Sequence, residues 1–421
     1  MQSARRRLSE RRGRLRGAAL ALATLATAGG LLAGAGGAAA DAPPPPDVAA
    51  RSYALVDATD GELLAGRAAN RRSSIASTTK LMTAYVARRA LGLSETVVAP
   101  AYQALAAESL LGLQAGEEIR VRDLLYGLLL ASGNDAAAAL ADAAAGSQEA
   151  FVARMNRAAE RLGLERTGYA NPIGLDEPGN HSTALELIEL TLELREDPFF
   201  RRVFDTPLYE TRSGAEARQV VNRNTLVRTV PWVDGVKTGY TLDAGFVLIG
   251  SGERHGVELV SAVLGAPSEA ARDDATLALL EHGLSLYQPR RPVERGELLT
   301  SVSVRDQGYA LELEAVRQVR VIVRDDQRVE TVVDAPAEVE GPLARGQRLG
   351  EASISVDGRR VARVPLVAVA SVPEASLLER FDARVPGPRA LAWTLAIGAP
   401  ATLLALALLL RDRRRAARAP R

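Results

Sequence analysis

The chain has no cysteine, which removes disulfides, zinc–thiolate centres and thiol catalysis. Histidine is almost as scarce. His181, His255 and His282 are the three present, too scattered to read as a metal cluster. Aromatic residues make up 4% of the chain, with two Trp and three Met. These read as packing residues, so no cofactor and no metal is implied. A net charge of +1 gives no electrostatic reason to expect a nucleic-acid partner. The most telling scarcity is lysine. Of 52 Lys plus Arg residues only Lys80 and Lys237 are lysine, and the other 50 are arginine. An arginine keeps its proton permanently, whereas a buried lysine can lose it. Two lysines retained in an arginine background therefore mark places where a guanidinium does not serve.

What is present begins with length. The 421 residues, 47% of them hydrophobic, suffice for two or three domains with a real core. Residues 1–40 read as a signal peptide: Arg5 to Arg16 are basic, Gly17 to Gly36 are apolar and small, and Ala38-Ala39-Ala40 offers a cleavage site. Residues 41–49 form a linker stiffened by Pro43 to Pro46. At the other end, 390–410 is a run of 21 uncharged residues, about 31 Å as a helix, the thickness of a hydrocarbon core. Pro400 kinks such a helix without preventing insertion. Six arginines follow in 411–421, which puts that tail in the cytoplasm. The expectation is a single-pass protein at the cytoplasmic membrane, its body outside, joined to the span by a juxtamembrane linker over 372–389.

Between these ends lie two textures. Residues 50–288 mix elements. Ser52 to Val56 and Glu62 to Leu64 flank Thr59-Asp60-Gly61 as a hairpin. Helical patterns follow around 78–91, 121–144, 148–162 and 184–195, and 244–250 and 257–263 read as strands. Pro289 and Pro292 then break the pattern. Over 289–371 the text is short and β-rich, as in Ser301-Val302-Ser303-Val304 and Ser353-Ile354-Ser355-Val356, with the turn Asp357-Gly358. This predicts a small separate β domain.

Both lysines sit in suggestive company. Ser77-Thr78-Thr79-Lys80 opens the apolar run Leu81 to Val86, and i, i+3 spacing on a helix stacks serine and lysine on one face. A neutral lysine there takes the hydroxyl proton as serine attacks a carbonyl. By itself this is a weak signal, equally a helix-capping serine and a surface lysine. Ser132-Gly133-Asn134 follows the apolar run Leu128 to Ala131, and Lys237-Thr238-Gly239 precedes Gly245 to Ile249. Either alone reads as a plain turn. Together, in the order Ser-x-x-Lys, Ser-x-Asn, Lys-Thr-Gly, they consume both lysines of the chain.

That ordered trio resembles the penicillin-binding proteins and serine β-lactamases. The resemblance is closest to the low-molecular-mass penicillin-binding proteins that act as serine-type D-alanyl-D-alanine carboxypeptidases. It extends to Gly174 through Ser182, Asn222-Arg223-Asn224, Val233 through Gly239, and Val364-Pro365-Leu366-Val367. It implies an α+β fold: a penicillin-binding/β-lactamase-like domain of antiparallel sheet and helices, then a small β-rich domain and a C-terminal transmembrane helix. It also implies roles. Ser77 is the acyl-ester nucleophile, Lys80 the general base and Ser132 a proton relay. Asn134 holds Lys80 and the substrate amide, and Lys237 keeps the site positive. Lys237, Thr238, Gly239, Tyr240 and Arg223 bind substrate, Lys237 by attracting its terminal carboxylate, with the backbone N–H groups of Ser77 and Tyr240 as the oxyanion hole. The implied partners are peptidoglycan stem peptides as substrates and β-lactams as covalent inhibitors. Several members carry a histidine after Lys-Thr-Gly and before Gly-Leu-Asp, where this chain has Tyr240 and Ile173. The alternatives are a β-lactamase, a D,D-endopeptidase, or a non-catalytic peptidoglycan-binding protein. No Glu-x-x-Leu-Asn segment is present to supply a β-lactamase's deacylating glutamate.

Overall fold

The computed structural model describes residues 43–382, apart from 107, together with 406–408. The expected signal peptide and basic tail lie outside the described residues, and so does the expected span but for 406–408. Contacts divide the chain into two compact units, up to Gln288 and from Pro289 onward.

In the first unit, β1 (Ser52–Asp57) and β2 (Leu63–Arg67) form the hairpin, with Tyr53 opposite Arg67. A 3₁₀ turn over Ala76–Thr79 runs directly into α1 (Lys80–Ala90). A small ribbon, β3 (Thr96–Val98) with β4 (Glu118–Arg120), leads into α2 (Val121–Tyr126). The stretch expected to be helical over 121–144 is interrupted. A π-helical turn over Gly127–Ala131 ends at Ser132, which is left-handed with φ 64°, and α3 (Asn134–Ala145) starts afresh. A non-glycine residue in that region costs about 1–2 kcal/mol. α4 (Gln148–Leu162) is capped by Ser147, whose hydroxyl accepts from the Ala150 N–H, and ends at left-handed Gly163.

α5 (Ala184–Arg195), α6 (Pro198–Phe204), the ribbon β5 (Leu208–Glu210) with β6 (Gln219–Val221), and α7 (Leu226–Thr229) follow. β7 (Val233–Thr241), β8 (Gly245–Arg254), β9 (Val257–Ala266) and α8 (Glu269–Ser285) close the unit. The segment of α8 carried no helical expectation, because its apolar residues do not form one clean stripe.

The five-stranded sheet has the order β2-β1-β9-β8-β7 and is antiparallel throughout. Neighbouring residues in β8 show how its two faces are covered. A Cβ on Gly250 would come within 2.3 Å of Thr276, so α8 packs against bare backbone there. The next residue, Ser251, faces the opposite way and accepts from the Arg195 guanidinium at the end of α5. Arg195 also pairs with Asp234 of β7 at 3.1 Å and with Glu258 of β9. The helical part packs around α1, whose Leu81, Met82, Ala84 and Ala87 are wholly buried, and α3, whose Ala136 to Ala141 let neighbours approach closely. The geometric result is that the 3₁₀ turn leading into α1 sets Ser77 against β7, the strand at the sheet edge.

In the second unit β10 (Tyr287–Val293) pairs with β13 (Val319–Arg324). Six further strands form the second sheet: β11 (Leu298–Val304), β12 (Ala310–Ala315), β14 (Val329–Asp334), β15 (Glu338–Val339), β16 (Arg348–Val356) and β17 (Arg359–Ala368). Their order is β14-β16-β17-β12-β11-β15. Asp357 and Gly358 both have positive φ, as a tight hairpin turn between right-twisted strands requires. Alternate residues such as Ala352, Ile354, Val364 and Leu366 build this unit's own core. The helical segment α9 (Leu377–Asp382) follows.

Candidate active site

The site grows from the 3₁₀ turn that runs into α1. The Lys80 Nζ donates to the Ser77 Oγ at 3.0 Å and to the Ile173 carbonyl. Lys80 is fully buried and Ser77 partly open. Burial presses the Lys80 ammonium down to about 7, with Arg223 adding to the effect while Glu108 and Asp135 oppose it. An amine so shifted is in large part neutral near pH 7, as a general base must be.

Two glycines explain how backbone crowds onto Ser77. Gly174 has φ +90°, and a Cβ there would stand 2.1 Å from the Ala76 carbonyl and 3.0 Å from the Ser77 N. Gly239 on β7 is as close, for its Cβ would meet the Ser77 N at 2.9 Å. The Ser77 N–H and the backbone of Gly239 are therefore side by side. The 173–174 turn is itself held by Asn171, whose Oδ1 accepts from the Gly174 N–H at 2.7 Å. Asp176 ties the same loop to the end of β7 by accepting from the Thr241 hydroxyl at 2.7 Å.

Ser132 and Asn134 arrive from the break between the π turn and α3. Ser132 is 3% exposed, and its hydroxyl has no hydrogen-bond partner among the described residues. A buried hydroxyl left unpaired costs about 1–3 kcal/mol, which is recovered if a ligand or a relayed proton engages it. Gly133 is required for close approach, since a Cβ there would sit 3.0 Å from the Leu111 N. Asp135 underpins the turn. Its carboxylate accepts from the N–H groups of Leu111, Gly112 and Leu113 at 2.8, 2.8 and 2.9 Å. Asn134 donates through Nδ2 to Glu108 at 2.7 Å.

Lys237 lies in the middle of β7, not in a turn, and is 1% exposed. It donates to the Thr238 carbonyl at 2.8 Å. Burial, then Lys80, Arg223 and Arg272, push it well below the ordinary lysine value. The permanent cation acting on both lysines is Arg223. Arg223 is exposed and well anchored. Its N–H donates to the Leu130 carbonyl at 3.1 Å, and Asn224 donates to the Gly235 carbonyl at 2.7 Å. Thr238 is 7% exposed, whereas Tyr240 is open to solvent and packs on Phe246 with ring centres 4.3 Å apart.

Ser77 and Lys80 meet the Gly239 backbone of β7, and Asn134 is linked to Lys80 through Glu108. Sequence reasoning missed Glu108, Asp135, Asn171 and the Ile173 carbonyl. Asp135 directly follows the Ser-Gly-Asn motif, which is its one legible signal; the others carry none.

An antiparallel sheet flanked by helices, with a Ser–Lys turn set against its edge strand, followed by a β-rich unit, is the fold of a penicillin-binding protein. The sequence profile described as D-alanyl-D-alanine carboxypeptidase matches residues 38–268. The profile described as penicillin-binding protein 5, C-terminal domain, matches 287–374. The chain is similar to the D-alanyl-D-alanine carboxypeptidase DacD of Escherichia coli, with 33% identity over 80% of this chain and 90% of that one. It is also similar to DacF of Bacillus subtilis, with 30% identity over 78% and 87%. The solved structure of penicillin binding protein 5 from Haemophilus influenzae superposes with a TM-score of 0.57 at 27% identity, over 79% of this chain and 99% of that one. The chain belongs to the serine-type D-alanyl-D-alanine carboxypeptidase family, among the low-molecular-mass penicillin-binding proteins.

Proposed function

We propose that this chain removes the terminal D-alanine from peptidoglycan stem pentapeptides through an acyl-enzyme on Ser77. The observation that carries the reading is the Lys80 Nζ at 3.0 Å from the Ser77 Oγ, buried and pressed down to about 7. Neutral Lys80 takes the hydroxyl proton as Ser77 attacks the carbonyl between the two D-alanines. The oxyanion that forms lies between the N–H groups of Ser77 and Tyr240, a contribution of roughly 3–4 kcal/mol per donor. Lys80 returns the proton through Ser132 to the leaving amine, the C–N bond breaks and D-alanine departs. Arg223 and Thr238 hold the substrate carboxylate, where an arginine fork suits the two oxygens. Water then hydrolyses the ester. A β-lactam enters by the same attack, which makes it a covalent inhibitor.

Release of D-alanine from a pentapeptide, measured beside hydrolysis of a β-lactam, tests the reading. D-alanine release with slow β-lactam turnover is expected. Rapid β-lactam hydrolysis without D-alanine release would instead mark a β-lactamase, and turnover of neither a binding protein.

The chain is further read as exported and anchored outside the cytoplasmic membrane by 390–410. This rests on 21 uncharged residues followed by six arginines. Among the described residues no helix is long and apolar enough to cross a membrane, so the anchor rests on sequence. Full-length protein should pellet with membranes and need detergent for release, and a chain ending at residue 388 should not. Equal partition of the two would overturn the anchor.

A further inference from the structure

The motifs account for Ser77, Lys80, Ser132, Asn134 and Lys237, yet a carboxylate outside all of them reaches the same site. Glu108 lies between β3 and β4, 26 residues before Asn134. Its Oε2 accepts from the Asn134 Nδ2 at 2.7 Å and from the Tyr102 hydroxyl, and its Oε1 accepts from the Leu105 N–H at 3.1 Å. The segment after it is fixed as firmly. The Asn134 N–H donates to the Ser109 carbonyl at 2.8 Å, and Asp135 gathers the N–H groups of Leu111, Gly112 and Leu113.

An ionised carboxylate only accepts hydrogen bonds. The Asn134 atom facing Glu108 must therefore be its NH₂, which leaves the carbonyl oxygen and one N–H for other partners. Asn134 is 5% exposed, so a flipped amide would set its oxygen against a Glu108 oxygen in a partly buried contact. The second consequence concerns charge. The groups acting on Lys80 are Glu108, Arg223 and Asp135, and Lys80, Arg223 and Arg272 act on Lys237. Both carboxylates oppose the effect of burial on Lys80, and Glu108 is the stronger of the two.

Building on the carboxypeptidase reading, we propose that Glu108 is a positioning residue of this active site: it fixes the amide orientation of Asn134 and supplies a negative charge to the site in which Lys80 accepts the Ser77 proton. Several features support it. Burial lowers Lys80, and Glu108 is the strongest charge opposing that fall. Burial also works against ionised Glu108, but the bonds from Asn134, Tyr102 and the Leu105 N–H, with Lys80 nearby, outweigh it and hold the carboxyl below its ordinary value. Glu108 is thus ionised wherever Lys80 titrates. A lysine that loses its proton too readily is a weak base, so the carboxylate keeps Lys80 matched to the operating pH.

The test is the pH profile of acylation by a fluorescent penicillin in wild type, Glu108→Gln and Glu108→Ala, with thermal melting of each as a control for folding. Glutamine keeps an acceptor for Asn134 but removes the charge. Its acid limb should move to lower pH by about one unit, the size expected for one nearby opposite charge. Glu108→Ala should show the same displacement and lose more of its plateau rate than Glu108→Gln, because no acceptor remains for Asn134. A Glu108→Gln profile superimposed on wild type would overturn the proposal. So would a lowered plateau with an unmoved acid limb, the mark of a merely structural residue. Absence of acylation in the wild type would instead sink the carboxypeptidase reading, and this proposal with it.

Discussion

Replacing Asp135 with alanine should unsettle the active site more than any other single truncation next to the motifs. The carboxylate accepts from the N–H groups of Leu111, Gly112, Leu113 and Ala136, all between 2.8 and 2.9 Å. The Leu111 donor is buried, and leaving it unpaired costs about 1–3 kcal/mol. Gly112 and Leu113 are partly open, so water replaces their acceptor at about 0.5–1.5 kcal/mol each. The sum is about 2–6 kcal/mol. At roughly 2–4 °C per kcal/mol for a domain of this size, melting should fall by roughly 4–24 °C. The segment 108–113 would also loosen against Ser132 and Asn134, so acylation should slow. The assay is covalent penicillin labelling after graded heating, which follows the catalytic unit alone. Melting within about 2 °C of wild type would refute the assignment of Asp135 as the fastener of this turn.

Three more outcomes are expected. Because Lys80 must be neutral to act and is pressed down to about 7, acylation should rise through pH 7 and fall about tenfold per unit below pH 6. An acid limb above pH 9 would contradict this. The same shift makes Lys80 costly at low pH. Between about 7 and 10.5 the unfolded chain holds a proton that the folded chain has lost, so this lysine's contribution to stability grows as pH rises. Gly174→Ala should slow acylation on the order of a hundredfold, since a Cβ 2.1 Å from the Ala76 carbonyl displaces the turn from Ser77; wild-type rates would show that the turn yields freely. Arg195→Ala leaves Asp234 and Glu258 without their shared buried cation and should cost about 3–5 kcal/mol in chemical denaturation. A loss under 1 kcal/mol would mean water or Arg201, already 2.8 Å from Glu258, takes over.

Much of the site was legible because lysine is so rare in this chain. Lys80 and Lys237 stand out against 50 arginines, and each drew attention to the serine or threonine beside it. Acidic residues have no such contrast. Glu108 and Asp135 are two among 51, and the work they do is set by a loop folding back across more than twenty residues to meet α3. The Ile173 carbonyl is a backbone atom, invisible to any reading of side chains. The interrupted helix at 127–133 was hidden for a related reason. Leu128 to Leu130 read as continuous helix, and nothing in that apolar run marks the left-handed Ser132 that ends it. Lys237-Thr238-Gly239 looked like a turn because glycine ends it, yet it lies within β7, where a missing side chain lets the strand touch Ser77.

The central claim is that Ser77 carries the acyl group, and one measurement reaches it most directly. Protein treated with a β-lactam is digested with trypsin, and the peptide spanning residues 73–80 is weighed and sequenced by mass spectrometry. The adduct should fall on Ser77, with none formed in Ser77→Ala and none in Lys80→Arg, where the base cannot lose its proton. An adduct on any other residue, or one that persists in Ser77→Ala, would contradict the account.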